Sequence, residues 1–303
     1  MTVTVLVPDD AGLTALGDVE GVRPVRYDVR EPLPPEAAEA EVLVPGFLRA
    51  EDSGFFDALP RLRLVQLLTA GAENWLDRLP PGVLLSTCRG AHGASTAEWA
   101  LAALLSMYRE LEEFAAQRER HSWEYRPTDT LQGKRILIVG AGDLGQALRR
   151  MLEPFDTWVT MVGSTARDGV HGVTELPALL PYYDAVVLMV PLTSQTTGMV
   201  DARFLERVPT GGIVVNAARG PVVDTDALLA ELNAGRLRAA LDVTDPEPLP
   251  VDHPLWQAPG LLLTPHVAGS TRGSAERSYA IAAAEISRYV RGELPENVVR
   301  GQY

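Results

Sequence analysis

Residues 131–150, LQGKRILIVGAGDLGQALRR, decide how the rest of the chain is read. Ile136, Leu137, Ile138 and Val139 form an unbroken apolar run, as expected of a strand covered on both faces in a parallel sheet. The run breaks into Gly140-Ala141-Gly142-Asp143-Leu144-Gly145, and Gln146-Ala147-Leu148 then opens a helical pattern. Glycines at this spacing between a strand and a helix are the dinucleotide-binding arrangement. Gly140 permits the tight turn, Gly142 lets the backbone approach a pyrophosphate, and Gly145 lets the helix pack closely on the strand. The free N–H groups around Asp143 and Leu144, at the positive end of the helix dipole, would then face the phosphates.

Downstream of this unit, strands are predicted near residues 158–162, 184–190, 211–216, 237–243 and 261–264. Helical segments at 144–153, 174–181, 201–207 and 224–234 alternate with them, which fits a doubly wound sheet made of two mononucleotide-binding halves. Upstream, short apolar runs at 3–7, 25–29, 41–44, 62–68 and 83–86 alternate with helix-like pieces such as 52–59, indicating a second, smaller parallel-sheet domain. One long helix is predicted over 96–118, its stripe carried by Ala97, Ala100, Leu101, Leu104, Leu105 and Tyr108 and its start capped by Ser95 or Thr96. The last helix, at 272–291, would cross back to the first domain, where the tail at 295–303 would finish.

Composition bounds the rest. A chain of 303 residues allows two cores, and 46% hydrophobic with 22% charged residues is ordinary for a soluble globular protein. A net charge of −13 disfavours nonspecific binding to nucleic acid or anionic membrane. No apolar run approaches the roughly 20 residues of a membrane helix, and MTVTVLVPDD reads as a first strand and not as a signal peptide. A cytoplasmic protein is expected. The single cysteine, Cys88, permits neither an intrachain disulfide nor a cysteine metal cluster, and no metal is expected.

The second strand of the nucleotide unit ends at Gly163, where an acidic residue would normally bind the ribose 2′-hydroxyl of NAD. Glycine followed by Ser164, Thr165 and Arg167 would instead accept a 2′-phosphate through charge-assisted hydrogen bonds. NADP is therefore favoured, with NAD possible if Arg167 is a solvated loop residue and Asp168 supplies the acid. Polar residues then gather at three later strand ends, where ligands bind in open α/β sheets: Asn216-Ala217-Ala218-Arg219-Gly220, Asp242 to Pro248, and Thr264-Pro265-His266. An arginine can clamp a carboxylate and polarise a keto oxygen. A histidine can donate the proton that accompanies a hydride, and a glutamate bonded to it would fix its orientation. Taken singly, Arg219, Glu247 and His266 could each be structural or solvated; their joint occurrence beside a nicotinamide site points to reversible reduction of a 2-keto acid.

These landmarks, with Val190-Pro191-Leu192-Thr193 followed by Thr197-Gly198, occur in the order found in the D-isomer-specific 2-hydroxyacid dehydrogenase family, which the sequence resembles over nearly its whole length. The resemblance implies a Rossmann cofactor domain, residues 96–271, inserted into a smaller flavodoxin-like substrate domain made of residues 1–95 and 272–303, with the active site in the cleft. It implies that Arg219 orients substrate, that Glu247 supports His266, and that His266 is the acid/base. Thr96, Pro191, Thr197, Ala217, Ala218 and Asp242 would border the cofactor, Asp242 near the nicotinamide carboxamide. Ala70 and Gly71 would hold the substrate carboxylate, and Phe47 and Leu48, residues 67–70, His92 and Trp123 are candidates for the substrate wall. A homodimer through the cofactor domain is implied. Glu247 stands where related formate dehydrogenases carry glutamine, which argues against formate oxidation. A small substrate such as glyoxylate or hydroxypyruvate is favoured. A phosphoglycerate dehydrogenase is the alternative, weakened by the lack of a C-terminal regulatory extension. A nucleotide-sensing binding protein of the same fold is the reading from another class.

Overall fold

A computed structural model describes residues 2–46, 53–76 and 78–300. The chain divides into two compact units, Met1–His92 with Thr271–Tyr303, and Gly93–Ser270. In the first, β1 (Val3–Val7), β2 (Val22–Arg26), β3 (Ala40–Leu43), β4 (Leu64–Gln66) and β5 (Leu84–Ser86) form a parallel sheet in the order β2-β1-β3-β4-β5. This is the flavodoxin-like order, with its switch point between β1 and β3. Helix α1 (Asp10–Gly17) follows β1, its N-terminus capped by Asp9, whose carboxylate accepts from the Gly12 N–H at 2.8 Å. The apolar run at 25–29 predicts β2 three residues too late. Val22 already pairs with Val3, and the turn closed by Glu31 N–H onto the Asp28 carbonyl ends the strand.

The second unit begins with α2 (Gly93–Tyr108) and α3 (Leu111–Glu119). The single helix predicted over 96–118 is broken here: Glu110 adopts φ 50°, the left-handed region. The apolar stripe runs out at Tyr108, and only Gln117 of α3 is buried. Glu110 instead pairs with Arg126, whose guanidinium also lies over the Phe114 ring. Then come β6 (Arg135–Val139), α4 (Asp143–Leu152), β7 (Trp158–Gly163), β8 (His171–Gly172), α5 (Leu176–Leu179), β9 (Ala185–Leu188), α6 (Ala202–Arg207), β10 (Ile213–Asn216), α7 (Thr225–Asn233), β11 (Arg238–Leu241) and β12 (Leu261–Leu263). The all-parallel order β12-β11-β10-β9-β6-β7-β8 contains the dinucleotide-binding order, and its switch point lies between β6 and β9.

Side-chain alternation divides the buried strands of this sheet between two helical layers. Leu137, Val139, Val186, Leu188 and Val214 face one layer; Ile136, Ile138, Val187 and Val215 face α2 and α4 through Ala97, Leu104 and Leu148. Each such aliphatic side chain contributes about 1.5–3 kcal/mol on burial. The chain then returns to the first unit as α8 (Ser274–Val290), which packs on α1; Tyr279 donates to the Asp9 carboxylate at 2.7 Å. The following tail closes the free edge of β5, with Val299 N–H on the Leu85 carbonyl at 2.8 Å. No described helix is long and apolar enough to cross a membrane.

Candidate active site

At the carboxyl end of β6, Gly140 has φ 119°, and a Cβ there would lie 2.2 Å from the Met189 carbonyl at the end of β9. Gly145 is equally constrained: its Cβ would stand 1.9 Å from the Gly140 carbonyl. The missing side chain at Gly140 lets the end of β6 meet the end of β9, and the one missing at Gly145 lets α4 pack directly on the end of β6. Gly142, the N-cap of α4, makes no side-chain cap bond, and a Cβ on it would meet no protein atom within 4 Å. A backbone open to approach, followed by the N–H groups of a ten-residue helix, fits the pyrophosphate of a dinucleotide. Leu144 packs against the core, whereas the Asp143 carboxylate turns toward Gly93 at the start of α2, where Thr96 is buried in the first turn. At the end of β9, the Thr196 hydroxyl donates to the Pro191 carbonyl at 2.6 Å and the Thr197 hydroxyl to the Thr193 carbonyl at 2.8 Å, closing the loop on itself.

Beyond β7 the Arg167 guanidinium lies across the strand end. Its Nη2 donates to the Ala141 carbonyl of the fingerprint at 3.1 Å, and a Cβ on Gly163 would be 3.0 Å from Nη1. The cation therefore occupies the space beside Gly163, with Ser164 and Thr165 exposed next to it. Asp168 sits at the tip of the small hairpin closed by Arg167 and Val170.

The three later strand ends are stapled by buried polar side chains. Asn216, 1% exposed, donates to the Arg219 carbonyl at 2.9 Å and accepts from the Ala218 N–H at 3.0 Å, fixing the turn through Ala217 and Ala218. Arg219 Nη1 donates to the Ala218 carbonyl at 2.7 Å. Gly220 carries this loop against the next, since a Cβ there would be 1.9 Å from the Thr244 carbonyl. That second loop is closed by Thr244 Oγ1 on the Pro246 carbonyl at 2.8 Å and presents Glu247. Glu247 Oε1 accepts from His266 Nδ1 at 2.6 Å. Because the carboxylate holds Nδ1, Nε2 is the ring nitrogen left to exchange a proton. His266 has φ 54°, a left-handed conformation that persists in a non-glycine residue only where neighbours impose it. A dinucleotide cradle, a guanidinium and an oriented imidazole thus share the carboxyl edge of one sheet.

The family described as D-isomer specific 2-hydroxyacid dehydrogenase, NAD binding domain, matches residues 101–268. The glyoxylate reductase of Thermofilum pendens is 30% identical over 82% of this chain and 78% of its own. The D-3-phosphoglycerate dehydrogenase of Mycobacterium tuberculosis is 31% identical over 95% of this chain and 56% of that longer protein. A D-isomer specific 2-hydroxyacid dehydrogenase from Xanthobacter autotrophicus, solved in complex with NADPH and MES, superimposes with a TM-score of 0.84 at 30% identity, covering 98% of both chains. The chain belongs to the D-isomer-specific 2-hydroxyacid dehydrogenase family.

It is an NAD(P)-dependent oxidoreductase of that family, built from two parallel-sheet α/β domains. Its remaining candidate residues lie mostly in the first unit. Ala70 and Gly71 follow β4, in a loop closed by the Thr69 hydroxyl on the Gly71 carbonyl at 2.9 Å. Leu67 is core, and His92 Nε2 lies 3.1 Å from the Leu68 carbonyl and 3.2 Å from Ser278 Oγ. Phe47 and Leu48 lie outside the described residues. Trp123, in the second unit after α3, is 97% exposed. Cys88 donates to the Ser278 carbonyl at 3.1 Å, and burial pushes its thiol up to about 12, which removes it as a nucleophile at neutral pH. Asn216, and Thr264 through its hydroxyl on the Asp242 carboxylate at 2.6 Å, anchor the turns beside Arg219 and His266, and the sequence shows them only as neighbours of those residues; a side-chain hydrogen-bond donor next to a strand-end candidate is the signal that would have found them.

Proposed function

We propose that this dehydrogenase interconverts a small 2-keto acid and its D-2-hydroxy acid, with NADPH preferred over NADH. When bound, the reduced nicotinamide supplies the hydride. Arg219 orients the substrate carboxylate and polarises the keto oxygen, and Ala70 and Gly71 are our candidates for backbone N–H donors to that carboxylate. His266 Nε2 delivers the proton to the keto oxygen, and Glu247 holds the ring for the transfer. The observation that carries this reading is the 2.6 Å bond between His266 Nδ1 and Glu247 Oε1 on the sheet edge that also bears the fingerprint.

The NADP preference is supported by Arg167 filling the space beside Gly163. A glyoxylate- or hydroxypyruvate-like substrate is supported by similarity to the T. pendens glyoxylate reductase, and 3-phosphoglycerate, suggested by the M. tuberculosis relative, is the competitor. We take the working unit to be a homodimer, supported by Trp123 and Tyr125, which are 97% and 91% exposed in the second unit. The test is oxidation of NADPH and of NADH with glyoxylate, hydroxypyruvate, pyruvate and phenylpyruvate, and the reverse reaction with 3-phosphoglycerate. Turnover should be highest with NADPH and one of the first two acids; no turnover with any of them, despite tight NADPH binding, would remove the proposal.

A further inference from the structure

Gln66 ends β4 as a polar side chain 0% exposed, although Leu64, Val65 and Leu67 around it are apolar, as expected of a strand inside a parallel sheet. Its Nε2 donates to the Leu67 carbonyl at 3.0 Å and to the Thr87 carbonyl at 3.2 Å, with Cys88 Sγ a weaker contact at 3.8 Å. Carbonyl oxygens only accept, so both amide N–H groups are committed and Oε1 must face the other way. Oε1 is buried there without a partner among the described residues, as is the Oγ of Ser86, the residue that pairs with Gln66 in the register of β4 and β5. A buried acceptor left unpaired destabilises a fold, and an unbranched apolar side chain of the same length would avoid it. What the amide adds is the pair of bonds from Nε2.

Those bonds join two loops at the carboxyl end of the first sheet. The Leu67 N–H donates to the Ser86 carbonyl at 2.8 Å and the Cys88 N–H to the Thr69 carbonyl at 2.9 Å. Between them lies the bond from Gln66 to Thr87, so residues 66–69 are tied to residues 86–88 three times in succession. The tied stretch runs directly into Ala70 and Gly71, where the Thr69 hydroxyl closes the turn on the Gly71 carbonyl. We propose that Gln66 is a positioning residue that fixes this turn and so sets the direction of the Ala70 and Gly71 backbone. This rests on the reading of those two residues as the donors to the substrate carboxylate. The carboxylate is present in the keto acid, the transition state and the hydroxy acid alike. Loosening its donors therefore weakens binding uniformly, so that KM rises while kcat is kept. Loss of the proton donor acts on kcat instead.

The experiment titrates oxalate, a small unreactive dicarboxylate, into the enzyme–NADPH complex by fluorescence, beside steady-state kinetics with the most active keto acid of the panel above. Gln66→Met, which keeps length and apolar packing but removes both donors, should weaken oxalate about tenfold, the scale of one hydrogen bond to a charged group. KM should rise by about the same factor, with kcat and the NADPH Kd within about twofold of the parent. Gln66→Glu, which turns oxygens toward both carbonyls, should weaken oxalate at least as much. If Gln66→Met does not fold, Gln66→Asn decides, since its amide is one methylene too short to reach both carbonyls. Unchanged oxalate affinity and KM in the variant that decides would overturn the inference and leave Gln66 as core filling. A fall in kcat at unchanged KM would overturn it as well. Failure of the underlying reading looks different: the parent complex itself would not bind oxalate, whatever stands at position 66.

Discussion

Two histidines in this molecule hold a glutamate through Nδ1 in nearly the same way. His266 reaches Glu247 at 2.6 Å and His171 reaches Glu175 at 2.7 Å, and all four side chains are close to half exposed. What differs is how each pair is assembled. His171 and Glu175 are four residues apart, and one short turn after β8 brings them together; Glu175 also accepts from the Gly172 N–H at 2.8 Å. His266 and Glu247 come from separate strand-end loops. Bringing them together takes a buried aspartate, a hydroxyl and a strained backbone. A local pair forms wherever two side chains happen to be neighbours, and exposed pairs contribute little. A pair that must be held by buried polar groups marks a place where geometry is used.

The sharpest way to break this contrast is to remove each member in turn. His266→Ala should lower kcat by about 10²–10⁴-fold, the usual contribution of a positioned proton donor, while NADPH still binds with near-native affinity. Glu247→Gln should act in the same direction by less, since the donor remains but its orientation is loosened. Steady-state kinetics beside a fluorescence titration separates chemistry from binding, and loss of both together in His266→Ala would make the histidine structural. Next in size is Arg167→Ala, which should weaken NADPH about tenfold or more through loss of a charge-assisted bond and leave NADH within about twofold. Equal weakening of the two cofactors would return Arg167 to the status of a loop residue.

Much of this was legible in the chain because each signal was local. The run Ile136–Val139 and the glycines at 140, 142 and 145 announce strand, turn and helix within ten consecutive residues, and the structure needs those glycines where Met189 and Gly140 carbonyls approach. Arg219, Glu247 and His266 could be picked out as chemistry at predicted strand ends, and two of them touch. The helix break at Glu110 was not legible, because helical spacing says nothing about a carboxylate captured by Arg126 sixteen residues later. The shift of β2 to Val22 depends on pairing with β1, again a non-local fact. Asp242 could be placed near the site, but its hold on Thr264, Val267 and Ala268 spans more than twenty residues and is set by how two neighbouring strands end.

The smallest predicted effect is the most informative control. His171→Ala and Glu175→Gln should leave kcat and NADPH affinity within about twofold of the parent, since neither is tied to the strand-end loops of β10, β11 or β12. The pair should nevertheless be visible in stability. The His171 imidazole, and after it the Gly172 N–H, hold the Glu175 carboxyl below the usual carboxylate range. A carboxyl with a depressed folded-state pKa lends stability above its unfolded pKa and loses it as pH falls through the folded one. Melting temperatures measured from pH 7 downward should therefore converge for the parent and Glu175→Gln at the acid end, with any gap confined to higher pH. If His171→Ala instead lowered kcat as far as His266→Ala does, exposure and spacing would have misled, and an imidazole–carboxylate contact would count as functional wherever it occurs on this sheet.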